Sequence, residues 1–265
     1  FIKNLILNIL DKIVLRKKIE IQERKSLISY NQLEKTLFFS QNSTSLKDSI
    51  NSKNLSIIAE HKRKSPSKSE INFSTPTNEI IKGYQDAGAA AISVLTDSYF
   101  FGGSNEDLNF AKKNSTIPIL RKEFIIDEFQ IIESKSIGAD AVLLIASILN
   151  ENEIINLSRL AKENNLDVLI EVHTIEELKK SLNENIDLIG VNNRNLKTFK
   201  VDLENSINIC NQIPKNFTKI SESGLNSIDD LRILLECGFD GFLIGEQFMR
   251  EKDPGSKLKE LINSY

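Results

Sequence analysis

Histidine and cysteine are scarce in this 265-residue chain, and the scarcity removes whole classes of chemistry. His61 and His173 are the only histidines, which all but excludes a His-rich zinc or iron site. Cys210 and Cys237 are too few and too unpatterned for a disulfide framework or a CxxC metal site, as in a protein of the reducing cytoplasm. A strong charge of one sign is also missing. The formal net charge of -3 argues against nucleic acid as the main partner, so local basic clusters read as sites for small anions. No run is long enough to span a membrane. The apolar opening FIKNLILNILDKIVL is broken by Asn8, Asp11 and Lys12, and no small-residue cleavage site follows. Ile2, Ile6, Ile9, Leu10, Ile13 and Val14 share one helical face instead. A soluble cytoplasmic protein is expected.

What the chain does contain is enough apolar material, 40%, for a sizeable core, with 27% charged residues to solvate it. Residues 2–38 read as one or two amphipathic helices with charged outer faces, as in RKKIEIQERK from Arg16 to Lys25. Residues 38–54 are polar, with a short helix expected around 45–50. From Leu55 onward, strand-like apolar runs fall at 55–60, 90–96, 117–122, 140–146, 167–172, 187–192, 217–222 and 240–245. Helical periods lie between them. Gly88, Gly138 and Gly238 stand where left-handed helix ends are expected, and Asp127, Thr174 and Ser227 where N-caps belong. Thr174 and Glu177 have the spacing of a capping box. Eight uninterrupted βα units with continuously apolar strands predict an α/β fold, a (β/α)8 TIM barrel with extra N-terminal helices. The competing doubly wound sheet lacks its G-x-G-x-x-G turn after any strand. One domain is expected over 1–265, with 1–54 as a helical extension and 55–265 as the barrel.

In such barrels the chemistry sits at the C-terminal ends of the strands. Those ends carry Glu60, Lys62 and Ser65 (strand 1), Thr96 and Asp97 (strand 2), and Lys122, Glu123 and Phe124 (strand 3). They continue with Glu171 (strand 5), Asn192 and Arg194 (strand 6), Glu222, Ser223 and Gly224 (strand 7), and Gly245 (strand 8). Carboxylates, lysines and an amide converging on one mouth suit acid–base work, because mutual attraction and burial oppose each other in setting their pKa values. The loops after strands 7 and 8 often bind phosphate, and Gly224 and Gly245 would let the backbone approach an oxyanion closely. Acid–base chemistry on a phosphorylated carbonyl compound is favoured, with a Schiff-base lysine left open. His61, by strand alternation, should face away from the barrel axis. Met249, Phe239 and Phe242 read as packing residues.

Over nearly its whole length the chain resembles indole-3-glycerol phosphate synthases of tryptophan biosynthesis. The segments that carry the resemblance are IAEHKRKSPSK (58–68), SVLTDSYFFGGS (93–104), ILRKEFIIDEFQIIESKSIGADAVLLIA (119–146), LIEVHTIEEL (169–178), IGVNNRNLKTF (189–199), ISESGL (220–225) and GFLIGEQFMR (241–250). The resemblance implies a carboxy-lyase that closes an indole ring in 1-(2-carboxyphenylamino)-1-deoxyribulose 5-phosphate, releasing CO2 and water, with no cofactor and no metal. By position, Lys122 is similar to the general acid and Glu171 to the base of the dehydration, while Glu60, Lys62 and Asn192 complete the catalytic group. Lys62 and Arg194 resemble the cations that face substrate anions. Phe100 or Phe101, with Phe124, resemble the walls of the phenyl ring. Ser65, Glu222 and Ser223 resemble substrate contacts, and Gly224, Gly245 and Glu246 phosphate contacts. Some members carry Ser at the position of Glu246, and a carboxylate there would repel phosphate. Its backbone N–H is therefore the expected contact, with the side chain turned away. The N-terminal helices are expected to help close the phosphate side. A phosphorylated small molecule is the implied partner, with no nucleic acid and no membrane. A monomer is expected, and association with other tryptophan-pathway enzymes is compatible with the reading.

Overall fold

Each apolar run after Leu55 becomes a strand whose side chains alternate between two different surroundings, and that alternation organises the molecule. The computed structural model describes residues 8–194 and 201–265. Ile2 and Ile6 of the expected helical face, and 195–199 of the segment 189–199, lie outside the described residues. The strands are β1 (Ile57–His61), β2 (Ala91–Leu95), β3 (Ile119–Lys122), β4 (Ala141–Ile145), β5 (Asp167–Val172), β6 (Leu188–Asn192), β7 (Thr218–Glu222) and β8 (Gly241–Ile244). All pair in parallel, each with its sequence neighbours, and β8 closes on β1. The expected runs match these strands to within two residues at each end.

Ile58, Leu120, Leu143, Leu169, Leu188, Ile220 and Leu243 point inward and fill the barrel. Their neighbours Ile57, Ile119, Leu144, Ile170, Ile189 and Phe242 point outward into the layer beneath the helices. Full burial on both faces explains why the strands are apolar throughout. Phe239, Phe242 and Met249 belong to this outer layer, as expected. Gly88, Gly138 and Gly238 have φ of 92°, 98° and 95°, the left-handed conformation that ends a helix. Asp127, Thr174 and Ser227 each cap a helix through the side chain. The box expected at Thr174 is only half formed. Glu177 turns past Thr174 to accept the backbone N–H of His173 at 2.7 Å.

The two ends of the barrel are closed differently. At the N-terminal end, Leu46 and Ile50 of the short helix Leu46–Asn51 insert into the barrel core. Asp167 holds that helix by accepting from Ser45 Oγ (2.9 Å) and Lys47 N (3.0 Å). At the other end lies α1 (Ile9–Leu27), started by a capping box between Asn8 and Asp11. Its inner face carries Leu10, Ile13, Lys17 and Ile21. Lys17, placed on a charged outer face by the sequence reading, is in fact 1% exposed. Carboxylates at the ends of the neighbouring strands override its preference for water. The helix pairs with groups that follow β2 and β3 and with the helix Glu128–Ile137, through Lys17–Asp97, Lys17–Glu123 and Arg24–Glu133. Among the described residues it therefore covers the β2–β4 side of the mouth.

Candidate active site

The alternation that fills the barrel with Ile58, Leu120, Leu169, Leu188 and Ile220 brings Glu60, Lys122, Glu171, Asn192 and Glu222 to the same inner face, two or four residues later. Glu60, Lys122, Glu171 and Asn192 meet at the C-terminal mouth around a cavity of about 630 Å³, which Lys62 also lines. Glu222, expected as a substrate contact, does not line it and is buried against Lys122 instead.

An ionic chain crosses the floor. Lys62 Nζ lies 2.6 Å from Glu60 Oε1, and Lys122 Nζ lies 3.4 Å from Glu60 Oε2 and 3.3 Å from Glu222 Oε2. Burial alone would raise the Glu60 carboxyl, but Lys62 and Lys122 outweigh it and hold it down at about 2. Burial likewise opposes the Lys122 ammonium, yet Glu60, Glu222 and Glu171 raise its pKa above the usual lysine range. Glu222 goes the other way. Burial and the Glu171 charge outweigh Lys122 and push its carboxyl up to about 7. The Lys122–Glu222 contact is an ion pair without an aligned hydrogen bond, since neither Glu222 oxygen has a hydrogen-bond partner among the described residues. A firmly protonated lysine thus stands beside one permanent carboxylate and one that exchanges its proton near neutrality. Such a set of groups can take up and release a proton near neutral pH.

Two glycines make room for these carboxylates. A Cβ on Gly190 would lie 2.2 Å from Glu222 Oε1, and one on Gly245 would lie 2.7 Å from Glu60 Cβ. Space for Glu60 is thus a reason for Gly245 that the sequence reading did not foresee.

One wall of the cavity is apolar. Phe101 and Phe124 pack with ring centroids 5.8 Å apart, beside Leu143 and Ile145 of β4 and Leu10 and Ile13 of α1. Phe100 does not line the cavity. It packs edge-on against Tyr99 at 4.8 Å, so of the two aromatics offered by the sequence it is Phe101 that faces the site.

The opposite side carries the β7 and β8 loops. Ser223 and Gly224 adopt φ of 69° and 71°, and a left-handed serine is strained unless its surroundings fix it. Asn193, fully buried, supplies that support by donating to the Ser223 carbonyl and to Ser221 Oγ, both at 3.0 Å. Nothing in the sequence reading singled out Asn193. Arg194 donates its backbone N–H to Asn192 Oδ1 at 2.9 Å and lines the cavity with Ser65, Ser223, Gly224, Gly245 and Glu246. The Glu246 side chain was expected to turn away. Instead it is bound by Lys68 and Arg250 and lies 3.8 Å from Arg194, so three cations gather on one carboxylate at the mouth. Lys68 and Arg250 belong to the segments 58–68 and 241–250, but only the fold brings them onto Glu246.

The histidines stay out of the site. His61 is 2% exposed and faces outward, and burial, with Arg63 nearby, lowers its pKa to about 4. His173 Nδ1 lies 2.7 Å from the Asn192 carbonyl. Among the described residues no group of three or more His, Cys, Asp or Glu is arranged to hold a metal ion. None of their helices is long and apolar enough to cross a membrane.

Comparison with known proteins gives the same direction. The barrel is similar to 3-hexulose-6-phosphate synthase from Salmonella typhimurium, with a TM-score of 0.59 and 13% identity over 79% of this chain and 99% of that one, a likeness of fold alone. A relative named indole-3-glycerol phosphate synthase from Bacteroides thetaiotaomicron is 43% identical over 97% of this chain and 98% of its own length. Another of that name from Koribacter versatilis is 47% identical over 78% of this chain and 80% of its own length. The family model described as Indole-3-glycerol phosphate synthase matches residues 10–261, and the chain belongs to that family.

Proposed function

We propose that this chain converts 1-(2-carboxyphenylamino)-1-deoxyribulose 5-phosphate to indole-3-glycerol phosphate, CO2 and water. The observation that carries the assignment of roles is the ionic chain Lys62–Glu60–Lys122–Glu222, set between an apolar wall and the glycine-bearing β7 and β8 loops. The carboxyphenyl ring lies against Phe101 and Phe124, and the phosphate at Gly224, Gly245 and the backbone N–H of Glu246. Ser65 and Ser223 border the sugar chain, and Arg194 and Lys62 face the substrate's anions, in particular the ring carboxylate. The ketone oxygen is then directed at the strand-end lysine.

Lys122 donates a proton to that oxygen while the carboxylate-bearing ring carbon attacks the carbonyl carbon. The new C–C bond closes the five-membered ring, and loss of CO2 returns the electron pair to the aromatic ring. Glu171 then removes a proton from the neighbouring ring CH2 as a lysine ammonium of the site protonates the hydroxyl, which leaves as water and completes the indole. Glu60, Glu222 and Glu171 all favour the charged ammonium, and proton uptake by Glu222 lessens that hold. Glu60, paired with Lys122, orients the ammonium, and Asn192 borders the same mouth.

The enzyme is further inferred to act as a cytoplasmic monomer on this phosphorylated small molecule. The Cys210 thiol, buried and donating to the Cys237 carbonyl, suits a reducing compartment. Light scattering on the purified protein reads the monomer directly. The test of function is a fluorescence assay for indole-3-glycerol phosphate with no added metal. Clear turnover is expected, with a loss of about 10²-fold or more in Lys122→Ala. Equal rates in both proteins would remove Lys122 as the acid, and absence of product from the parent would remove the activity.

A further inference from the structure

The face of α1 that sends Leu10 and Ile13 to the cavity wall continues to Lys17, at helical positions i, i+3 and i+7. A lysine there is costly, since an apolar side chain would fill the position without desolvating a charge. What the ammonium touches explains it. Lys17 Nζ lies 2.7 Å from Glu20, 2.9 Å from Asp97 Oδ2 and 3.0 Å from Glu123 Oε1. Burial opposes the charged form, but Glu123, Asp97 and Glu20 outweigh it, so the lysine keeps its proton.

Asp97 and Glu123, both almost wholly buried, lie two residues past β2 and one past β3. Each reaches onward to one of the cavity aromatics. Asp97 Oδ1 accepts the backbone N–H groups of Phe100 (2.7 Å) and Phe101 (3.2 Å), which starts the short turn Ser98–Phe101. Glu123 Oε1 accepts the N–H of Phe124 at 2.8 Å, while its Oε2 accepts from Thr96 Oγ1 at 2.9 Å. Apart from Lys17, Asp97 Oδ2 has no partner among the described residues. One ammonium therefore ties the covering helix to both turns that carry the aromatic wall, and Glu123 is the residue after the proposed acid, Lys122.

We propose that Lys17 is a positioning residue, which sets the distance between α1, Phe101 and Phe124 and thereby shapes the slot for the carboxyphenyl end of the substrate. The identity of the ring in that slot rests on the function proposed above. Without the ammonium, two buried carboxylates face each other across the gap and the turns they hold move apart. The phosphate end, on the other side of the mouth, is untouched.

The test compares steady-state kinetics with inhibition by two fragments, anthranilate for the aryl end and inorganic phosphate for the other. Lys17→Met should raise KM and weaken anthranilate inhibition about tenfold or more, as expected for displacement of a wall by a fraction of an ångström. Phosphate inhibition should stay within about twofold. Lys25→Met, which breaks the exposed pair with Asp127 on the same helix, should change neither constant. Where Lys17→Met fails to fold, Lys17→Met/Asp97→Asn removes one of the stranded charges while keeping the helix cap, and should show the same split. Phe124→Ala checks the wall itself, and should weaken anthranilate. If Phe124→Ala does so but the Lys17 variants only melt at lower temperature with unchanged KM and anthranilate inhibition, the positioning role is overturned. If no variant, including Phe124→Ala, affects anthranilate, the aryl-wall reading falls and the proposal with it.

Discussion

Gly190 of β6 and Glu222 of β7 share one space, since a Cβ on the glycine would lie 2.2 Å from the carboxylate oxygen Oε1. The strand therefore gives up a side chain so that a carboxylate can stand beside Lys122. Gly190→Ala should push Glu222 off the lysine and lower kcat/KM by about 10²-fold. Overpacking should cost roughly 1–3 kcal/mol of stability. Kinetic assay and thermal unfolding together check this. Full activity in the variant would mean that the position of Glu222 is not critical.

The raised carboxyl of Glu222 also makes stability depend on pH, with a definite sign. Its pKa rises from 4.5 to about 7 on folding, so between those values the folded protein binds the extra proton. The contribution of this group is complete below pH 4.5 and is lost as the pH rises through 7. Glu60, lowered to about 2, contributes above 4.5 and loses its contribution only as the pH falls through 2, outside this window. His61, lowered to about 4, acts within the window with the opposite sign. The difference between parent and Glu222→Gln therefore isolates the effect. Urea unfolding from pH 5 to 8 should show the parent losing roughly 3 kcal/mol relative to the variant. Parallel curves would contradict the raised value.

Glu246 occupies three cations at the mouth, Lys68, Arg250 and Arg194. A bound phosphate would compete with that carboxylate for the same positive charge. Glu246→Gln should strengthen inhibition by inorganic phosphate about fivefold, the effect of about 1 kcal/mol between neighbouring charges near solvent. Weaker inhibition would show that Glu246 is needed to hold the cations in place.

His61 offers the contrasting case of a conspicuous residue outside the cavity. It is buried, faces outward, and leaves Nδ1 without a partner among the described residues. His61→Leu should keep kcat/KM within about twofold and raise stability by about 1 kcal/mol, because an unsatisfied polar atom is removed. A tenfold loss of activity would place His61 in the mechanism.

The sequence by itself determined the barrel and the strand ends that bear charge. Period-two alternation along Leu55–Glu60 or Phe217–Glu222 fixes which side chains face inward, and the strand boundary fixes which of them reach the mouth. Lys122, Glu171, Glu60 and Asn192 were legible for that reason. Only the tertiary structure decided contacts between elements distant in sequence. Lys17 looks like any surface lysine until β2 and β3 bring Asp97 and Glu123 beneath it. Glu246 looks misplaced near a phosphate until Lys68 and Arg250 close on it. Whether Phe100 or Phe101 faces the cavity depends on where the Asp97 cap starts a turn, and Gly190 acquires its meaning from a carboxylate on the next strand. Periodicity is a local property of the chain, whereas the field and the free volume around a side chain are set by neighbours that only the closed barrel supplies.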